Sequence, residues 1–164
     1  MKLLAFLLIT GASAAAAAAP PPRIVAAAGH WAALAGEGQC DAASLSLLPA
    51  SKTRLQGRAS LTFDRSARHG LFAAALSKPV APASSVMLTI DDEQYLLVAR
   101  GLGAWSRGPR QEAAILAAMR RATRMRIEGR SVRGLRFIDR YDLAGAPTAI
   151  DAAAACAQGL LVNR

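Results

Sequence analysis

The sequence predicts a mainly β domain of the α+β kind, an antiparallel β-sandwich or partly closed barrel with two short helices near 109–122 and 147–158. Three observations predict it. Most segments alternate apolar and polar residues with period two, as in RASLTFD (58–64), where Leu61 and Phe63 interleave with Ser60 and Thr62. Turn-forming residues separate these segments at short intervals, the spacing that hairpins need. Only two stretches carry helical periodicity, both in the second half, and no internal repeat is visible.

The chain opens MKLLAFLLITGASAAAAAAPPP. A single cation, Lys2, precedes an apolar run from Leu3 to Ile9, then small residues, then prolines, which is the layout of a secretory signal peptide. Residues 1–19 are expected to form it, with cleavage after Ala14 or further along the alanine run, up to Ala19. A membrane anchor would need about 20 strongly apolar residues, and this run is shorter. No second apolar span follows, so the mature chain is expected to be soluble and periplasmic or secreted. Residues 20–29, PPPRIVAAAG, are expected to be a linker or flexible arm. The 164-residue length then suits a single β-rich domain over 30–164.

Within that domain WAALAG and CDAASLSLL are expected strands, parted by the turn residues GEGQ. RASLTFD and HGLFAAALSKP follow, the latter ended by Pro79. SSVMLTIDDEQYLLVARG is a hairpin with Asp91-Asp92 at its turn, because aspartate side chains bond nearby backbone amides. GPRQEAAILAAMRRA is a helix with Pro109 in its first turn. Glu112 and the pair Arg120 and Arg121 are placed to complement its dipole, and Ile115, Met119 and Ala122 to face the core. TRMRIEGRSVRGLRFIDRYDL is a second hairpin. Met125 and Ile127 share a face with Leu135, Phe137 and Tyr141. Arg124, Arg126 and Glu128 share the other with Arg136 and Arg140. A register with Glu128 opposite Arg136 and Ile127 opposite Phe137 makes both pairs favourable. The last helix is expected from about Pro147 to a left-handed cap at Gly159, with Ala149, Ala153 and Cys156 turned inward.

Cys40 and Cys156 are the only cysteines. In an exported chain they are expected to pair, closing a loop of more than a hundred residues, the alternative being two free buried thiols. A metal site is disfavoured. His30 and His69 are the only histidines, and no CxxC or HxxxH spacing exists to seed ligation.

No cofactor and no catalytic residue are expected. The stretch from Tyr95 to Glu128 outlines a dinucleotide-binding unit, but Ser106 stands where the third glycine should be, and Gly108-Pro109 disturbs the turn. GRSVRG (129–134) has the length of a phosphate loop without its Lys-Ser/Thr ending, and is read as a hairpin turn. No GxSxG elbow activates a serine. Asp91, Asp92 and Glu93 read as a solvated turn, His69 as a loop residue, and Trp31 and Trp105 as core anchors. What remains is charge. The chain carries a net charge of +9, almost all from arginine, since Lys2, Lys52 and Lys78 are the only lysines. Arg124, Arg126, Arg136 and Arg140 are the candidate anion-binding residues. Like charges on one face repel unless something acidic offsets them, and arginine forks well onto phosphate and carboxylate.

HWAALAGEGQC, VMLTIDDEQYLLVARG and DRYDLAGAPTAIDAAAAC together resemble the invasion-associated locus B family of small exported alphaproteobacterial proteins. The resemblance implies a β-sandwich-like fold and a non-enzymatic role at or beyond the cell surface, and it carries over no catalytic residues. The central cysteines of that family have no counterpart here. The expectation is therefore an exported binding or structural module with an arginine-rich face. Its partner would be an anionic surface, lipopolysaccharide or an acidic protein, with nucleic acid less favoured. The rival expectation is a small periplasmic hydrolase whose site assembles only in three dimensions.

Overall fold

The computed structural model describes residues 21–64 and 70–162. The expected signal peptide lies outside the described residues, and so does His69. The described residues form ten strands and two helices: β1 (Arg23–Ala28), β2 (Trp31–Ala35), β3 (Gln39–Leu45), β4 (Arg58–Asp64), β5 (Leu71–Ala75), β6 (Val86–Ile90), β7 (Glu93–Arg100), β8 (Gly103–Trp105), α1 (Pro109–Met119), β9 (Arg124–Arg130), β10 (Arg136–Asp142) and α2 (Ala146–Val162). The fold is mainly β, as the alternation predicts. All ten strands join one antiparallel sheet, in the order β1-β2-β3-β4-β5-β8-β7-β6-β9-β10.

The sheet curls but does not close, since β1 and β10 are not paired with each other. Loops from the far half cover the free side of β10 instead. Leu47 N–H donates to the Arg140 carbonyl at 2.8 Å, and Ser77 N–H donates to Asp139 Oδ2 at 2.9 Å. The Trp31 indole N–H donates to the Asp142 carbonyl at 2.9 Å, and His30 N–H to the Ala144 carbonyl at 3.1 Å. An edge strand with unpaired backbone groups invites foreign strands, and these bonds occupy that edge.

One core fills the concave side, with Trp31, Leu61, Phe72, Leu88, Ile115 and Ile150 among its fully buried side chains. Helix α2 lies across β1–β4. Ala149 and Ala153 are fully buried there, and such small side chains let a helix approach a sheet closely. Cys156, on the same helix, forms a disulfide with the buried Cys40 of β3. Among the described residues no helix is long and apolar enough to cross a membrane.

Several expectations need correction. Residues 20–29 are not merely a linker, because β1 pairs there with β2 along its length, interrupted by a bulge between Ile24 and Ala26. Three alanines and two aliphatics mask the alternation that would have marked this strand. Helix α1 stops at Met119, so Arg120 and Arg121 lie past its last turn and instead meet Asp151 (2.7 Å) and Glu93. Glu112 is buried and accepts a hydrogen bond from the Ser106 hydroxyl at 3.1 Å, which ties the helix to the end of β8. Helix α2 runs through Gly159 to Val162 rather than capping there. A helical glycine costs about 1 kcal/mol, and the good helix formers Leu160 and Leu161 follow it. Trp31 is a core anchor, but Trp105 is partly exposed on the convex face beside Val98.

Candidate anion-binding face

β9 and β10 form the hairpin that the alternation predicts, and their faces divide as expected. Met125, Ile127, Phe137 and Tyr141 are buried, while Arg124, Arg126, Arg136 and Arg140 are all exposed on the convex side. The register, however, differs by two residues. Arg136 stands opposite Arg130, Phe137 opposite Gly129, and Arg140 opposite Arg126. Two local causes fix this register. Gly134 takes a left-handed conformation (φ 74°), and its N–H closes a four-residue turn onto the Ser131 carbonyl at 2.8 Å. Gly129 gives the Phe137 ring room, since a Cβ at 129 would lie 3.0 Å from it. Leu135 is consequently left in the turn and exposed rather than packed inward.

The observed register sets arginine against arginine twice, and the two pairs are treated differently. At the turn end, Arg136 reaches diagonally to Glu128. Its Nε and Nη2 donate to Oε1 and Oε2, each at 2.7 Å, in a two-pronged bond. That bond, with the nearby Arg126 and Arg130 charges, holds the Glu128 carboxyl below its usual range, and the same contact raises Arg136. Arg130 donates to the Gly134 carbonyl at 3.2 Å. The Glu128–Arg136 pairing expected from sequence is therefore present as a diagonal contact, and it gives the Arg136 charge an acidic partner.

At the other end Arg126 and Arg140 face each other, and among the described residues neither makes an ion pair. Thr89 of β6 is the next residue across from Arg126. With Arg124, Leu47 and the turn residues Asp91 and Asp92, they line a hollow of about 270 Å³. Asp91 is already committed. Its carboxylate accepts from the N–H and hydroxyl of Thr123 and from Arg124 N–H, at 3.1–3.3 Å, so it fastens the β6–β7 turn to the start of β9. Asp142, opposite Arg124, accepts from Ala144 N–H at 2.8 Å. Asp91 and Asp142 thus serve the backbone, while Asp92 stays at the rim of the hollow, so three guanidinium groups, those of Arg124, Arg126 and Arg140, face one uncommitted carboxylate.

Sequence reasoning missed two parts of this picture. Lys52 and Lys78 join Arg133 and Arg136 around a second hollow of about 560 Å³, brought there by loops distant in sequence. Asp139 is fully buried on the inward face of β10, against Gly57 and Tyr141. An acid at an inward position of FIDRY was the available signal.

The histidine–acid pairing that a hydrolase would need also has a candidate. His30 Nε2 lies 3.9 Å from Asp142 Oδ2, beyond hydrogen-bonding distance, with both side chains about half exposed. The nearby serines are engaged elsewhere. Ser44 donates to the Leu45 carbonyl at 3.2 Å, and Ser46 donates to the Leu48 carbonyl at 3.1 Å while accepting from Gly57 N–H. Among the described residues, no group of three or more His, Cys, Asp or Glu side chains is placed to hold a metal ion. Comparison with known proteins found no matching family model, no matching curated protein and no matching solved structure.

Proposed function

We propose that this is an exported, non-catalytic binding module that holds an anionic group on the convex face of β9 and β10, with Arg126 and Arg140 as the principal contacts and Arg124 beside them. One observation carries the reading. Two arginines stand directly opposite each other with no acid between them, while the equivalent pair four residues along the hairpin is offset by Glu128. Like charges so placed repel, and an anion bridging them turns that repulsion into attraction. Export is supported by the N-terminal signal layout and by the Cys40–Cys156 disulfide, a bond that persists in oxidising compartments. The resemblance to the invasion-associated locus B family fits the same role. The hydrolase reading has the His30–Asp142 approach in its favour, but Ser44 and Ser46 give their hydroxyls to backbone carbonyls rather than to that histidine.

Retention on immobilised heparin, measured against salt, tests the proposal. The triple variant R124Q/R126Q/R140Q is expected to elute at clearly lower salt than a control of equal charge, R23Q/R100Q/R110Q, whose exposed arginines lie elsewhere. Equal losses in both variants would mean that net charge alone drives retention, and the site would be withdrawn.

A further inference from the structure

Leu47 lines two hollows. One is the arginine hollow just described. The other is a groove of about 670 Å³ on the convex side of β1–β3, whose apolar wall is Ala27, Ala32, Leu34, Ala43, Leu45 and Leu47. Leu45 and Leu47 are 55% and 52% exposed, a large apolar area to leave facing water. The bond from Leu47 N–H to the Arg140 carbonyl anchors this leucine to β10, the strand that carries Arg140. Apolar wall and cationic hollow therefore share a fixed boundary.

We propose that the groove and the arginine hollow together form one site for a phosphate-headed lipid. The headgroup lies between Arg126 and Arg140, and the acyl chain crosses Leu47 into the groove. The proposal rests on the anion-binding reading of the face and adds the class of ligand. Charge decides among occupants. A neutral apolar segment would cover the leucines and leave the arginines unmatched. A second copy would bring two cationic faces together, in a chain of net charge +9. Arg58, the cross-strand neighbour of Leu45 and part of the groove lining, adds a further cation that favours an acidic amphiphile over a neutral one.

Calorimetric titration with three probes tests this: dodecyl phosphate below its micelle concentration, inorganic phosphate, and dodecyl maltoside. Dodecyl phosphate is expected to bind the native protein at least about tenfold more tightly than inorganic phosphate, the minimum that burying a few methylenes gives, and more tightly than the maltoside by a similar factor. L45S/L47S changes two exposed side chains, so it should stay folded by circular dichroism. It should lose that tenfold gain and keep its affinity for inorganic phosphate. R126Q/R140Q should weaken both phosphates. If inorganic phosphate binds and dodecyl phosphate binds no better, the lipid proposal is overturned while the anion reading stands. If no phosphate binds, both fall. Maltoside binding equal to that of dodecyl phosphate would remove the headgroup's part and overturn the proposal. So would a concentration-dependent dimer in sedimentation that L45S/L47S dissolves, since the groove would then belong to a second copy.

Discussion

At the scale of single residues, the molecule depends on where backbone and side chain approach closely, and these were the points least legible in the sequence. Asp139 is fully buried beside Gly57, with Ser77 N–H bound to its Oδ2. A Cβ added at Gly57 would sit 2.8 Å from the Asp139 Cγ and 2.9 Å from the Tyr141 hydroxyl. Gly57→Ala is therefore expected to destabilise the fold by about 1–3 kcal/mol in urea unfolding, and an unchanged midpoint would show that the seam is looser than described. The two tyrosines give a second check. Burial, and then the hydrogen bond to Glu93, push the Tyr95 phenol up to about 12. Burial, and then the neighbouring Asp139 charge, push Tyr141 up as well. A phenol raised in the folded state contributes stability that is full below its ordinary value of 10.0 and is lost as pH rises through about 12. Tyrosinate absorbance of the native protein should stay low as pH passes 10.0 and rise only on further alkalinisation. Ionisation of either phenol at its ordinary value would contradict the burial. Nothing in RFIDRYDL says what Asp139 and Tyr141 will meet, because Gly57, beside both, and Ser77, bonded to Asp139, come from other parts of the chain.

At the scale of elements, periodicity was a good guide wherever two residue classes alternated. It found β4, the β6–β7 hairpin, both faces of β9 and β10, and the core stripe of α1. It failed for β1, where alanines blur the pattern, and for β8, where three residues in a glycine-bounded stretch are too few to show alternation. The β9–β10 register was missed by two because cross-strand pairing energies alone chose it, whereas turn conformation at Gly134 and space at Gly129 decide it. The inward placement of Cys156 on α2 was legible from helical spacing, and its partner from there being only one other cysteine in a chain expected to be exported. With a sequence separation of 116, the disulfide limits the unfolded chain strongly, and its loss is expected to cost about 4–5 kcal/mol in the chain-entropy account. Urea unfolding with and without reductant measures this. Thiol titration should find none in the native protein and two after reduction under denaturing conditions, whereas two reactive thiols beforehand would refute the staple.

At the scale of the whole molecule, a curled sheet turns its concave side to one alanine-rich core and its convex side to solvent. Charge is distributed unevenly over that convex side. Composition announced the excess of arginine, and alternation placed four of the arginines on one face. Which of them are already engaged could not be read from the sequence, because engagement depends on the register: Arg136 is held by Glu128, whereas Arg126 and Arg140 make no ion pair among the described residues. A site built this way should trade stability for binding. The most direct measurement is thermal unfolding of the native chain and of R126Q at low ionic strength, with and without inorganic phosphate. Without phosphate, R126Q should melt at or above the native temperature, because a repulsion has been removed. With phosphate, the native protein should gain several degrees and R126Q little, reversing the order. If phosphate shifts both equally, or neither, the paired arginines are only a solvated surface and the account of this face is wrong.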